Sequence, residues 1–429
     1  MLRNVTVEGF RSLRSFRMEI KPGLNILVGP NGAGKTNIIL FFDFLRNLTG
    51  SSLSDAIGRA GGIAQVFAKR GKNSFADTIV VSLQGIVQVD ESQYPYSLDL
   101  ELNFSQSRQD VVFCRQELKV DQISQVTRRS SVYMHVIYEP PTSPDSGGIR
   151  ILKFPEPERN TRSWVREEIK RLEKRNIFST NCVLSFLQHV DEALATVAAD
   201  FSGRFILNVV PSHVKKPEDS TREPGIDSDG SGLSATLYAI KKKRSIAGSR
   251  ALRPFLRMSD LRTPEWSGVM DLVRVAVPSI EDIDVENDPF DNLLRCRITV
   301  GKGNKSSVVP LGALSDGTVK WMSLVVRLLT SREALLLEEP ENYLHPLMQR
   351  EIVRLLRDSV GSSSFMMLST HSETLLNAVR PDELIVVGYE KGGTKANRVS
   401  NSADVEAEIN RTGFGLGYYY LADAVESCR

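Results

Sequence analysis

Eight consecutive residues, Gly29-Pro30-Asn31-Gly32-Ala33-Gly34-Lys35-Thr36, keep the spacing G-x-x-x-x-G-K-[ST] between an apolar stretch, LNILV, and a helix-forming one. That spacing suits phosphate chemistry. Glycines let backbone N–H groups turn inward on phosphate oxygens, and the start of the following helix adds positive potential. Lys35 would reach the β- and γ-phosphates of ATP, the Thr36 hydroxyl would bind Mg²⁺, and Asn37 continues the nucleotide contact into the helix. Far downstream, Ala334 to Pro340 reads ALLLEEP, an apolar run ending in two acids. Glu338 would complete the Mg²⁺ shell through water, and Glu339 would orient and deprotonate a water attacking the γ-phosphate. These residue types predict Mg-ATP as the bound cofactor and hydrolysis as the reaction.

Between the two motifs lies Leu314-Ser315-Asp316-Gly317-Thr318, followed by the helical stretch VKWMSLVVRLL. It resembles the signature of ABC-type ATPases, in the LSDGT form of the SMC, RecF and OLD-like branch. The resemblance implies that Ser315, the backbone N–H of Gly317 and the helix N-terminus bind the γ-phosphate held by a second copy. ATP would then close a head-to-tail dimer. Pro340-Glu341-Asn342-Tyr343-Leu344-His345-Pro346 resembles the D-loop, which would place Leu344 and His345 at the dimer seam. The segment SFMMLST delivers His371, which resembles the switch histidine that hydrogen-bonds the γ-phosphate and positions water. Phe10-Arg11-Ser12 resembles the F-[KR]-S element, where Arg11 would approach the nucleotide; a solvated turn arginine is the alternative. Gln65, in GGIAQVFAKRG, is the candidate glutamine for sensing Mg²⁺, or else a plain surface residue. DGSGLSATLYAI and the terminal GFGLGYYYLADAV look like stand-alone AAA-type members of the OLD-like and anti-phage ATPases.

Positioning these residues requires a strand ahead of the phosphate loop and a buried strand ahead of the paired acids. LNILVG, ALLLEE, SFMMLST and ELIVVGY are short apolar runs separated by helical stretches, which fits a parallel sheet covered by helices. Residues 1–20 hold two β-like stretches, and about 75–135 hold four that suggest an antiparallel sheet. Helices are predicted over about 161–174 and 182–199, and 214–232 reads as a polar connection. The expected fold class is α/β: an ABC-ATPase head with a RecA-like parallel sheet, a β-rich N-terminal lobe and an inserted mainly helical region. Its expected divisions are 1–95, an N-terminal ATPase lobe; 96–240, an inserted β/helical region; and 241–429, a C-terminal ATPase lobe. Internal repeats and heptad arrays are absent, which excludes a long coiled-coil arm.

The 429 residues are 41% hydrophobic with a formal net charge of +2, so any basic surface must be local. The run from Lys241 to Arg257, KKKRSIAGSRALRPFLR, has seven basic residues and no acid. It is the candidate DNA contact, with a solvated helix end as the alternative. Two triplets, Asp227-Ser228-Asp229 and Asp282-Ile283-Asp284, invite a metal-nuclease reading. Acids in a Gly/Ser connection favour turns, however, and about 50 residues after His371 are too few for the Toprim domain of OLD-type nucleases. Cys114, Cys182, Cys296 and Cys428 lack a C-x-x-C pair, which predicts a reducing cytoplasm and no zinc site. No apolar run approaches the ~20 residues that span a bilayer, so a soluble protein with no membrane partner is expected. The motifs and the resemblance together imply a DNA-linked ATPase switch in anti-phage defence or DNA repair, commanding a separate effector such as a nuclease. A self-sufficient ATP-dependent nuclease and an ATP-regulated partner that sequesters a toxin are the alternatives. The D-form signature and the long insertion speak against a transporter subunit.

Overall fold

The structure, a computed structural model, describes residues 1–69, 71, 74–105, 110–124, 129–140, 148–155, 167–169, 171–242, 264–301, 303–331 and 333–422. An antiparallel sheet is built from β1 (Leu2–Glu8), β2 (Phe16–Glu19), β4 (Thr78–Val89), β5 (Ser92–Ser105), β6 (Asp110–Ser124), β7 (Ser130–Tyr138) and β8 (Ile149–Lys153), in the order β2-β1-β4-β5-β6-β7-β8. The sheet that carries the motifs contains β3 (Gly23–Val28), β9 (Arg204–Leu207), β14 (Ala334–Glu338), β15 (Phe365–Ser369), β16 (Leu384–Glu390) and β17 (Gly393–Arg398). Its order is β17-β16-β3-β15-β14-β9, parallel throughout except for the β16–β17 pair.

The apolar runs of this second sheet are continuous because both of its faces are covered. Successive side chains alternate between two cores. Leu336, Phe365, Met367, Ile385 and Val387 join one; Leu335, Leu337, Met366, Leu368 and Leu384 join the other. The first core is filled by α1 (Lys35–Gly50), which lies between the two sheets and is apolar on most of its circumference. Its Phe42 meets Phe365 at 5.8 Å between ring centroids, and its Phe41 meets Phe10 at 5.3 Å. α2 (Glu192–Ser202) joins the same core, with Phe201 against Tyr96, and the chain then enters β9. The second core lies under α3 (Leu233–Lys241), α4 (Trp266–Ala276), α5 (Asp316–Thr330) and α6 (Pro346–Ser359). Beside them a small sheet pairs β12 (Leu293–Val300) with β10 (Glu218–Asp219), β11 (Ile280–Asn287) and β13 (Ser307–Pro310).

The α/β class and the antiparallel sheet over 75–135 are as expected. The divisions differ. Pro95 lies inside β5, paired with Ile86 of β4, so no break falls between 95 and 96. The region from 96 to 240 opens with most of β5 and with β6–β8 before turning helical, so it is not mainly helical. Part of the helix expected over 161–174, and the basic run beyond Lys242, lie outside the described residues. The polar connection 214–232 holds structure the sequence did not announce. Buried Glu218 accepts from the backbone N–H groups of Gly232 and Ala235 and so caps α3. Among the described residues no helix is long and apolar enough to cross a membrane.

One buried side chain docks the antiparallel sheet onto the helices that lead into β9. Gln116 on β6, fully buried, donates to the carbonyls of Phe178 (2.6 Å) and Asn181 (3.0 Å) and accepts from the Val183 N–H (2.8 Å). Gln116→Leu keeps the bulk but orphans three backbone groups, and should cost about 2–4 kcal/mol of unfolding free energy in urea followed by circular dichroism. A loss below about 0.5 kcal/mol would mean those groups find other partners.

Candidate functional site

Three adjacent strands, β3, β15 and β14, end at the same edge of the parallel sheet, where open α/β sheets hold their ligands. β3 runs into the phosphate loop and α1. Two loop glycines have no room for a side chain: a Cβ on Gly29 would lie 2.0 Å from the Val387 carbonyl oxygen, and one on Gly34 2.0 Å from Thr394 Oγ1. Gly34 also sits at φ +103°, a conformation that favours glycine. Pro30, Asn31 and Gly32 form the exposed crown of the loop, and Ala33 is buried beneath it. Lys35 is nearly buried, and its ammonium donates to the carbonyls of Gly29 (2.9 Å) and Pro30 (3.1 Å). Burial lowers its pKa, and the nearby Glu339, Glu341 and Glu338 act in the opposite sense.

Thr36 Oγ1 donates to Glu338 Oε1 at the end of β14. A hydroxyl and a carboxylate side by side are the hard oxygen donors that Mg²⁺ takes, alongside phosphate and water. Among the described residues no group of three or more His, Cys, Asp or Glu could hold a metal ion alone. Glu339 follows in the left-handed region at φ +42°, its N–H donating to the Ser369 carbonyl (3.1 Å). That turn swings its carboxylate out of the sheet. Oε1 lies 3.6 Å from His371 Nε2, and Oε2 accepts from Asn342 Nδ2 (3.1 Å). Both side chains are partly exposed, so the pair is open to water.

The signature lies at the N-terminus of α5. Ser315 is exposed and caps the helix, its Oγ accepting from the Thr318 N–H at 3.2 Å. Asp316 pairs with Lys215 at 2.6 Å. Gly317 has to be glycine here for a contact within the chain: a Cβ would fall 2.3 Å from the Tyr343 carbonyl oxygen of the D-loop. One turn on, Lys320 is buried and donates to the carbonyls of Asn342 (3.1 Å) and Glu339 (3.4 Å). Its pKa is pushed down to about 8 by burial, against the attraction of Glu341 and Glu339.

Other expected placements are corrected. Arg11 does not face the loop: its guanidinium donates to the Ala60 carbonyl (2.9 Å), and its neighbour Ser12 takes the position instead. Ser12 Oγ accepts from Asn37 Nδ2 (2.7 Å) and lies 2.7 Å from Thr394 Oγ1, which donates to the Ala33 carbonyl (2.9 Å). Gln65 is exposed on the short helix Ile63–Val66 with its side chain beside Gly61, and the Thr36–Glu338 contact is made without it. Leu344, expected at a seam, is buried in the second core; His345 is exposed and caps α6, and the exposed apolar residues of this segment are Tyr343 and Leu347. The acidic triplets are already engaged. Lys241 bonds Asp284 (2.8 Å) and approaches Asp282 (3.7 Å), Arg222 holds Asp227, and Asp229 accepts from Ser231 and His213. Ser12 could have been suspected from its place in F-R-S. Thr394 and Lys320 gave no signal.

The family described as "AAA domain, putative AbiEii toxin, Type IV TA system" matches residues 24–377. A stretch of 63 residues is 36% identical to the chromosome partition protein Smc of Desulfitobacterium hafniense (strain Y51), covering 13% of this chain and 5% of Smc. Another of 39 residues is 49% identical to the DNA double-strand break repair Rad50 ATPase of Methanopyrus kandleri, covering 9% of this chain and 4% of that protein. The chain thus matches only a small fraction of either relative's length. Among solved structures, the SmcHead bound to the C-winged helix domain of ScpA aligns with a TM-score of 0.46 and 16% identity, over 92% of this chain and 97% of that one. The SMC head domain from Thermotoga maritima aligns with a TM-score of 0.37 and 12% identity, over 93% and 99%. With the family match extending across most of its length, the chain belongs to this AAA-domain family of ATPases.

Proposed function

We propose that the chain binds Mg-ATP at the phosphate loop and hydrolyses it between two head-to-tail copies of itself. The observation that carries this reading is the Thr36–Glu338 contact. A helix-start hydroxyl and a strand-end carboxylate, 302 residues apart, meet beside Lys35 on one side and Glu339 on the other. Mg²⁺ held there supplies charge neutralisation for the β- and γ-phosphates. Lys35 exchanges the Gly29 and Pro30 carbonyls for phosphate oxygens. Glu339, aligned by Asn342 and His371, takes the proton of the attacking water. Ser315 and the N-terminus of α5 from the second copy close over the γ-phosphate. Asp316 brings a negative charge to that closing surface, and its pairing with Lys215 leaves the helix end attractive to an anion.

The finer role we infer is a DNA-linked switch in repair or defence that commands a separate effector such as a nuclease. It is supported by the local identity to Smc and to a repair ATPase, and by the basic run. The family's description, a toxin of a type IV system, favours a second reading as an ATP-regulated member of a toxin–antitoxin pair. Growth arrest on expression of the chain alone, lost when Lys35 is replaced, would favour that second reading.

Lys35→Ala should abolish ATP binding in calorimetry while the variant stays folded; undiminished affinity would remove the phosphate-loop assignment. Glu339→Gln should keep ATP affinity, slow phosphate release by roughly a hundredfold or more, and accumulate a dimer in light scattering with ATP and Mg²⁺. Ser315→Arg should bind ATP and stay open. Wild-type turnover in either variant contradicts the composite site. Lys241 is bound within the molecule, so DNA contact is assigned from Lys242 onward. Replacing Lys242, Lys243 and Arg244 by alanine should lower the log–log salt slope of DNA binding by up to about 3. An unchanged slope makes the run a solvated surface.

A further inference from the structure

Glu341 follows Glu339 by two residues in the D-loop, and no step above uses it. One of its oxygens, Oε1, accepts two hydrogen bonds from the end of β15: the Thr370 hydroxyl at 2.7 Å and the His371 N–H at 2.8 Å. Thr370 is itself fully buried, and its hydroxyl accepts in turn from the Ser372 N–H at 3.0 Å. The other oxygen, Oε2, is buried with no hydrogen-bond partner among the described residues. A carboxylate with one bare buried oxygen is an expensive arrangement unless cations lie close. Two do: after the cost of burial, Glu341 is the strongest influence keeping Lys320 charged, and it acts on Lys35 in the same sense. Among the described residues, the hydrogen bonds of this carboxylate go to the Thr370 hydroxyl and to the backbone N–H of His371, the segment from which the imidazole projects.

We propose that Glu341 is a positioning residue for hydrolysis: it fixes the Thr370–His371 backbone, and so the imidazole of His371, relative to Glu339 and the attacking water. This rests on the reading of His371 as the group that aligns Glu339 and the water. The geometry gives the carboxylate a second consequence. Glu341 lies on the same loop as Tyr343, whose carbonyl packs against Gly317, so this side chain is one of the links between the signature helix and the histidine, beside the Lys320 bonds to the Asn342 and Glu339 carbonyls.

The test is steady-state ATP hydrolysis by the full chain with Mg²⁺. Glu341→Ala should lower kcat by about ten- to a hundredfold, the range expected for a charge-assisted hydrogen bond, and leave KM within about threefold. Glu341→Gln retains an acceptor oxygen for both donors and should recover most of that loss. In a His371→Ala background, itself slowed roughly a hundredfold, Glu341→Ala should cost less than about threefold more. Equal losses in both backgrounds, a Gln variant as slow as Ala, or a loss confined to KM would overturn the proposal. An unaffected His371→Ala enzyme would remove the histidine's role and the proposal with it, whereas a slow His371→Ala enzyme with additive losses removes the proposal alone. If Glu341→Ala fails to fold, Thr370→Val deletes one of the two donors at similar volume. It should give a smaller fall in kcat that again vanishes in the His371→Ala background; a fall that persists there overturns the proposal.

Discussion

The two strands β14 and β15, buried on both faces, have nowhere along their length to keep a charge, so their polar residues collect where they stop. In β14 and β15 nine of the ten residues are buried, and the exception is the terminal Glu338. Because β3, β15 and β14 are neighbours and run the same way, their three ends meet. The phosphate loop, the paired glutamates and His371 are brought together by that single constraint. The side-chain contacts at the site, Thr36 to Glu338 and Glu339 to His371, join residues from different strand ends. Strand register rather than any long-range attraction makes those contacts possible. A slip of one residue in β14 would exchange the faces of Leu335, Leu336 and Leu337 and turn the core inside out.

The cluster carries its own charge balance. Three carboxylates, Glu338, Glu339 and Glu341, act on Lys35, and two of them act on Lys320. Both lysines are largely buried and both occupy backbone carbonyls. A carbonyl is a modest partner for an ammonium, so Lys35 is held where a phosphate can displace the loop's own oxygens at small cost. Lys320 has no comparable exit. It is surrounded by the D-loop turn, in which Glu339 and Tyr343 both take left-handed backbone angles. Non-glycine residues hold such angles only where the surroundings fix them.

Much of this was legible in the sequence, for a physical reason. Short motifs such as Gly29–Thr36 and ALLLEEP encode both an element boundary and a chemistry, so the loop, the strand and the residues were found together. Contacts set by tertiary packing were not legible. Arg11 sits in a recognisable motif, yet the turn at φ +47° directs it to Ala60 and leaves Ser12 at the loop. Leu344 read as a seam residue because its motif was placed correctly, but the burial of a leucine depends on the helix packed above it. Glu341 meets a partner 30 residues downstream only because β14 and β15 pair. The boundary at 95 was not legible either, because β5 runs on through Pro95, which pairs with Ile86 of β4.

The packing of Gly317 against the Tyr343 carbonyl has a consequence for a symmetric pair. In the proposed arrangement, Ser315 and Gly317 serve the neighbour's nucleotide, while Glu341 and His371 serve the chain's own. The absence of a side chain on Gly317 lets it pack against the Tyr343 carbonyl, on the same loop that carries Glu341. Each copy would then work as a rocker arm, one end resting on the other copy's triphosphate and the opposite end setting its own histidine. In that arrangement, two such arms facing each other would make the turnover of either nucleotide sensitive to whether the other is still intact. Firing would be alternating or concerted, and a lone engaged site would run at a rate different from a pair.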